Sequence, residues 1–376
     1  MKKKKFATLR ALNRKRNYIM KKMRYYSRLF VEKILWDKQE KTTIDFNSIK
    51  SILILRNDGK IGDVIVDSAI IKPLSQSGYN IDILVTPDNY SIIKNNDYIR
   101  NIFIANQISL SDFLKERTHN VSHEIIDKLN GNKYDLIIDP SMFNVPMHRL
   151  RLLKEISAKD VISFNKKKWL NRYSKSIDFD YKINHITKSC ELLLSELNII
   201  DNSVNYNLSY SDEIGSDVEK YLSSLPKNNI NIILNIFAGC DERCLSLSQA
   251  KEIDEKINLL YNNVNVIVLD YNKKIPKTKL PCSNIYNSAS LQHSIALISK
   301  SDIVISPDTS IVHISAAFNM DLVAIYKNDP DNNVLWGPGY KNSIQLFTSA
   351  PNLYDDKNIV NDIVSAIANH MTKYKK

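Results

Sequence analysis

Short apolar runs separated by helix-like stretches constrain the fold of this chain more than any single motif does. Runs at 51–55, 81–85, 101–105, 134–139 and 160–164 form one series, and runs near 230–236, 264–269, 302–306 and 321–326 form another. Each reads as a short buried strand. Strands alternating with helices make βαβ units, hence parallel sheets with helices on both faces. The segment around 200–228 is rich in Asn, Ser and Asp, interrupts the alternation and is the expected linker. A length of 376 residues suits two domains, taking ~150 residues per domain as the prior. The expected organisation is an extension over 1–48, a first doubly wound α/β domain over 49–205 and a second over 225–376.

Two strand-to-helix junctions stand out. Ser306-Pro307-Asp308-Thr309-Ser310-Ile311-Val312-His313 follows the apolar Ile303-Val304-Ile305 and opens a helix-like stretch running to Phe318. Asp308, Thr309 and Ser310 fall where that helix begins. The first helical turn leaves backbone N–H groups unpaired and carries partial positive charge, which suits a phosphate. An ordinary N-cap by Asp308 or Thr309 fits the same residues. The second junction is Arg56-Asn57-Asp58-Gly59-Lys60-Ile61-Gly62-Asp63, after Ile52 to Leu55 and before the helix-like Val64 to Ile71. The chain has only 8 glycines, where ~7% is usual. Two of them sit here, at 59 and 62, and two more at 337 and 339. Scarce glycine is kept where backbone turns tightly or approaches a ligand. The spacing is not that of a dinucleotide fingerprint.

Taken together, these segments resemble glycosyltransferase family 9, the lipopolysaccharide heptosyltransferases. Arg56 to Asp63 resembles the family's N-terminal motif. Ser306 to His313, with Asp321 to Tyr326 and Trp336-Gly337-Pro338-Gly339, resembles its donor-binding motif. Tyr134 to Asp139, His185 leading into Glu191 to Leu194, Asn235 to Ala238, and Leu291 to Ile298 are similar to intermediate landmarks in the family's order. The resemblance implies the GT-B architecture: two Rossmann-like domains facing across a cleft, with a final helix over 358–373 crossing back to the first. It also implies an inverting transfer of a sugar from a nucleotide-diphosphate donor, with ADP-heptose or another activated hexose as the sugar source.

Sugar transfer needs a base for the acceptor hydroxyl and stabilisation of the departing diphosphate. Asp63 matches the family's catalytic aspartate; capping the helix at Val64 is its structural alternative, and Asp58 is a local competitor for the base. Thr309 and Ser310, with Asp308 and His313, are the expected donor-binding residues, Lys60 and Arg243 the expected cations. No metal is then required, and no cofactor beyond the donor substrate is expected. Gly62, Arg149 and Arg151 are expected on the acceptor side, where His148, Lys154 and Lys166 to Lys168 add positive charge that suits an anionic lipopolysaccharide core. A solvated basic helix face explains those residues equally well. Several positions depart from the family: Ser310 stands where relatives carry glycine, Lys327-Asn328-Asp329 replaces Gly-Pro-Thr, and Asp270 to Lys273 lacks the usual Gly and Glu. An epimerase on the same fold, or a sugar-nucleotide binder without catalysis, therefore stays open.

Charge is unevenly placed. Residues 1–41 hold 15 of the 52 basic residues and 3 of the 41 acidic ones, so the remainder, with 37 and 38, is nearly neutral. Within this arm Ile19, Met23, Tyr26, Phe30 and Ile34 recur at helical spacing among Lys and Arg. Docking on an anionic membrane, packing on the body, and a nucleic-acid-binding arm all fit that pattern. The near-neutral body disfavours nucleic acid. No apolar run reaches the ~18 residues of a membrane span, and no signal peptide is visible. The four cysteines, at 190, 240, 244 and 282, suit a reducing cytosol; Cys240 and Cys244 read as incidental thiols rather than half a zinc site. Apart from Lys2 to Lys5 there is no low-complexity tract. A cytoplasmic protein, peripheral on the inner face of a bacterial inner membrane, is the expected setting.

Overall fold

The structure, a computed structural model, describes residues 7–58, 60–106, 119–157, 159–200, 204–271, 273, 275–276, 278, 280 and 284–374, without the side chains of 7–12 and 14. Lys2 to Lys5, Gly59, Asn272, Cys282 and the 201–203 part of the expected linker lie outside the described residues.

Among the described residues twelve strands form two sheets. The first contains β1 (Ser51–Arg56), β2 (Asn80–Val85), β3 (Asn101–Ile104), β4 (Leu136–Asp139), β5 (Asp160–Phe164) and β6 (Lys175–Ile177), in the order β3-β2-β1-β4-β5-β6. The second contains β7 (Ile230–Asn235), β8 (Val264–Tyr271), β9 (Asn284–Ser288), β10 (Ile303–Pro307), β11 (Asp321–Lys327) and β12 (Ser343–Thr348), in the order β12-β11-β10-β7-β8-β9. Counted within each sheet, both follow the doubly wound order 3-2-1-4-5-6. The central pairs are parallel: Ile52 to Ile54 lies beside Leu136 to Ile138, and Ile303 to Ile305 beside Ile232 to Leu234. Ile, Leu and Val fill these strands because helices cover both sheet faces, leaving no solvated side for alternation.

Six helices bear on the chemistry: α1 (Ala7–Trp36), α2 (Ile61–Gln76), α3 (Arg149–Glu155), α4 (Asp212–Ser223), α5 (Ser310–Ala317) and α6 (Ile359–Met371). Residue contacts group the chain into two units, one of 1–58, 82–84 and 103–178, the other of 59–81, 85–102 and 179–376. The core of the first is built from Leu53, Leu55, Ile137, Leu150 and Leu153, with Leu29 of α1 inserted among them. The core of the second is built from Ile232, Leu234, Ile305, Val323 and the apolar side of α6.

The fold differs from expectation in three places. β6, β9 and β12 are additional strands, all at sheet edges and all partly exposed. An edge strand lacks cover on one side, so its sequence carries no continuous apolar run. The expected linker contains α4, whose first turn is capped by Ser211 accepting from the Ile214 N–H. The final helix, expected to cross back to the first domain, packs on the second unit. Ile359, Ile363, Ala366 and Ile367 are spent on the second unit's own core, and His370 Nε2 lies 3.2 Å from the Leu322 carbonyl oxygen of β11.

Candidate functional site

In a doubly wound sheet, ligands gather at the carboxyl ends of the two central strands, where the winding reverses. The chain has two such points, after β1 and β4 and after β7 and β10. The motifs singled out from the sequence fall on both.

In the first unit the point is occupied by a buried polar network. Asn57 and Asn120 exchange hydrogen bonds, Asn57 Nδ2 to Asn120 Oδ1 at 2.7 Å and Asn120 Nδ2 to the Asn57 carbonyl at 2.8 Å. Arg149 donates to Asn57 Oδ1 and to Asp58 Oδ1, both at 2.7 Å, and its Nε lies 3.5 Å from Asp139 Oδ2. Its side chain, expected on the acceptor side, is 1% exposed. It holds Asp58 and Asn57. Tyr173 donates to Asp139 at 2.9 Å. Burial pushes the Asp139 carboxyl upward, but Arg149, Lys166 and hydrogen bonds from Ser141 and Tyr173 outweigh it and hold the group below its ordinary value. Lys166 is likewise buried rather than part of a basic loop. Its amine donates to the Ser141 carbonyl, and burial brings it down to about 8 against the pull of Asp139. Arg151 Nε pairs with Glu155 at 2.8 Å. Beside Asp58 a cavity of about 170 Å³ opens, walled by Asn57, His119, Met147, His148 and Arg149. His148 adopts a left-handed φ of 57°, a sparsely populated conformation for a residue with a Cβ.

In the second unit α2 packs against α5. The helix α2 begins at Ile61, three positions earlier than the sequence suggested, so Asp63 sits inside its first turn rather than at the N-cap. Its Oδ2 accepts from the Lys60 N–H at 3.1 Å, and the side chain stays half-buried rather than sealed in. Capping is thus realised, but through a reach back along the turn that leaves Asp63 at the helix start. Gly62 faces α5: a Cβ there would lie 3.4 Å from His313 Cδ2. His313 is 6% exposed, and its ring stands edge-on to Tyr206 and Trp336, with centroids at 5.8 and 6.0 Å. Burial, aided by His185, pushes His313 down to about 4 although Asp63 pulls the other way, so the imidazole is neutral near pH 7. Its Nδ1 is buried with no hydrogen-bond partner among the described residues.

Thr309 caps α5 by accepting from the Ile311 N–H at 3.2 Å, and Ser310 opens the helix. Asn235, at the end of β7, donates to Ser306 Oγ at 2.9 Å and so ties the two central strand ends together. Arg243 Nη1 donates to Asp308 Oδ2 at 2.8 Å, and its Nε to Cys240 Sγ at 3.3 Å. Burial raises the Asp308 carboxyl despite the opposing pull of Arg243, Asn332 and Lys60. Among the described residues Cys240 and Cys244 join no group of three or more metal-ligating side chains.

Asp63, Lys60, Gly62, Asp308, Thr309, Ser310, His313 and Arg243 therefore all belong to the second unit. Arg149 and Arg151 belong to the first. Sequence reasoning missed Tyr206 and the role of His185. Its Nε2 lies 2.9 Å from the Gly337 carbonyl oxygen, and its ring fills the space where a Cβ on Gly339 would stand. The glycine pair at 337 and 339 was the available signal.

The sequence model of glycosyltransferase family 9 (heptosyltransferase) matches residues 250–361, which include the β10–α5 junction. "Putative lipopolysaccharide heptosyltransferase 4" of Escherichia coli (strain K12) is 24% identical over 342 residues, covering 89% of this chain and 90% of that protein. The crystal structure of a family 9 glycosyltransferase from Veillonella parvula DSM 2008 superposes with a TM-score of 0.71 at 16% identity, covering 86% of this chain and 97% of that one. Escherichia coli ADP-heptose lps heptosyltransferase II gives a TM-score of 0.63 at 11% identity, with 85% and 99% covered. The fold is thus the GT-B fold of these structures. Motif order, sheet topology and these likenesses agree: the chain is a glycosyltransferase that is similar to family 9, the heptosyltransferases.

Proposed function

We propose that this enzyme transfers a heptose, or a related sugar, from a nucleotide-diphosphate donor to a lipopolysaccharide core or other cell-surface glycan. ADP-heptose is the donor of choice, a preference supported by the likeness to Escherichia coli ADP-heptose lps heptosyltransferase II. One juxtaposition carries the reading. Asp63 on α2 acts electrostatically on His313 of α5, and Lys60 acts on Asp308 at the turn leading into α5. A carboxylate and an anion-accepting helix start therefore share one neighbourhood.

In the proposed reaction the acceptor hydroxyl oxygen bonds to the anomeric carbon as the bond from that carbon to the diphosphate oxygen breaks. Asp63 takes the hydroxyl proton, and the diphosphate leaves with the electron pair, so configuration inverts. The α5 amide turn at Thr309 and Ser310, with Arg243 and Lys60, stabilises the charge that grows on the diphosphate, which makes a metal unnecessary. Neutral His313 meets the donor by a hydrogen bond rather than by charge. A membrane-held acceptor sets this work at the inner face of a bacterial inner membrane, with the enzyme cytoplasmic and peripheral.

Asp63→Asn tests the assignment. In EDTA-containing buffer, ADP-heptose is expected to bind the variant by calorimetry about as well as wild type. Transfer is expected to fall by roughly 10²–10⁴-fold, the usual contribution of a positioned base. Turnover within a few-fold of wild type would place the base elsewhere, and a transfer product with retained anomeric configuration would end the single-displacement scheme.

A further inference from the structure

The helix α1 has two unlike long faces, and only one of them is used by the protein. The inner face is firmly held. Leu29 is 0% exposed, Arg28 Nη2 donates to the Val145 carbonyl at 2.7 Å, and Tyr25 Oη accepts from the Val145 N–H at 3.0 Å. The buried Glu32 carboxylate accepts from the His148 N–H at 3.1 Å. The helix is therefore an integral part of the first unit, gripping the 145–148 loop that precedes buried Arg149.

Among the described residues the outer face makes no such hydrogen bonds. Ile19, Met23, Phe30 and Ile34 are 47, 59, 60 and 53% exposed, and Tyr26, Met20 and Val31 widen the stripe. At ~100° of rotation per residue, Lys15, Lys22 and Lys33 line one margin of this stripe and Arg24 the other. Lys33 also lies over the ring of Trp169, 5.7 Å from its centroid, and that partly exposed tryptophan follows the exposed Lys167 and Lys168. A second element thus continues the same basic and aromatic rim. Among the described residues no helix is long and apolar enough to cross a membrane.

We infer that α1 is an interfacial helix. The Ile19–Met23–Phe30–Ile34 stripe enters the headgroup layer of an anionic bilayer, Lys15, Lys22, Arg24 and the Lys167–Trp169 segment ring it, and the inner face holds the 145–148 loop at that surface. An apolar stripe bordered by lysines, with a tryptophan at headgroup depth, is what an in-plane helix needs. Charge selects the partner, because the excess positive charge of the chain is concentrated in residues 1–41. The inference deepens the proposed function by naming the surface on which the enzyme works, and depends on that reading only for the use made of docking.

The test is co-sedimentation of the full chain with vesicles of phosphatidylcholine, with and without 30% phosphatidylglycerol. Binding is expected only on the anionic vesicles and should weaken as salt rises. Met23→Glu with Phe30→Glu should abolish it. Neutralising Lys15, Lys22 and Arg24 to Gln should weaken it by roughly 100-fold, at about fivefold for each basic residue. Equal binding to neutral vesicles, unchanged binding by the double glutamate variant, preference for RNA over vesicles, or a dimer that the same substitutions dissociate would each overturn the inference. Transfer to a water-soluble acceptor, measured on the same variants, should match wild type. If wild type itself shows none while vesicle binding behaves as expected, the proposed reaction fails and the docking surface stands.

Discussion

Arg149→Met isolates the part of the first unit that sequence reasoning assigned to substrate and the structure assigns to the fold. The substitution keeps an unbranched apolar stem but removes a guanidinium that is 1% exposed and meets Asn57, Asp58 and Asp139 together. Asp139 is 0% exposed, so it loses its main compensating charge while its burial is unchanged. Removing one partner of a buried ion pair costs about 3–5 kcal/mol. At ~2–4 °C per kcal/mol for a unit of this size, Tm should fall by roughly 10 °C. The sign with pH follows from Asp139. Its folded carboxyl is held below the unfolded value, so its contribution is present above that value and is lost as pH falls through the folded one. Without Arg149 the folded value rises, and acid unfolding should begin at higher pH. Urea denaturation across pH 3–7 measures both effects, and the double variant with Asp139→Asn should recover part of the loss. If Arg149→Met costs less than about 1 kcal/mol and instead raises only the KM for acceptor, the buried-network argument is wrong and Arg149 belongs to the acceptor site.

Two further outcomes follow from the same kind of geometry. Lys166 is brought to about 8 by burial. Its folded value lies below its unfolded one, so the charged amine weakens the fold below pH 8 and the penalty fades as pH rises further, by about 3 kcal/mol at most; the wild-type stability curve should therefore rise relative to that of Lys166→Met between pH 8 and 9.5, and parallel curves would refute the shift. Gly339→Ala places a Cβ at φ 72° and 2.5 Å from His185 Cε1. It should cost about 1–2 kcal/mol for the left-handed backbone alone plus the displacement of His185, part of which His185→Ala should relieve in urea denaturation, whereas additive losses would show that the two do not meet.

Much of the fold was legible because its determinants are local. Strands buried on both faces write themselves as Ile-Leu-Val runs, and nine of the twelve could be read that way. The three that could not are edge strands, whose identity depends on a neighbour rather than on their own residues. The site divides along the same line. Asp63, Thr309 and Ser310 are placed by the helix starts they occupy, which sequence shows. Arg149 and Lys166 look like surface cations in sequence because the carboxylate that buries them, Asp139, sits at the end of another strand. The inner face of α1 was illegible in part for the same reason: Glu32 is tolerable in the interior because Arg28 lies 3.6 Å away and the backbone of His148, 116 positions away, meets it. What sequence did show was the opposite face, whose Ile19-Met23-Tyr26-Phe30-Ile34 periodicity remains exposed.

The two switch points share one topology yet differ in how their polar groups are spent. After β1 and β4 most of them pair with one another, Asn57 with Asn120, Arg149 with Asp58 and Asp139, Tyr173 with Asp139, while Arg149 Nε and Ser141 Oγ stay buried without a hydrogen-bond partner among the described residues. Groups satisfied by one another favour rigidity and leave little hydrogen-bonding capacity for a ligand. After β7 and β10 the arrangement is incomplete. His313 Nδ1 and Tyr206 Oη are both buried without partners among the described residues, their rings 5.8 Å apart. An unmade hydrogen bond in the interior costs about 1–3 kcal/mol, so a ligand group or water that completes either atom would be favoured there. The cost falls beside the α5 start, where Arg243 and Lys60 already bias the field toward an anion. Completion by a bound donor would return that cost as binding energy. The His313 and Tyr206 rings thus mark unmet hydrogen-bonding capacity beside the α5 start, a signal independent of the glycines that first drew attention to this region.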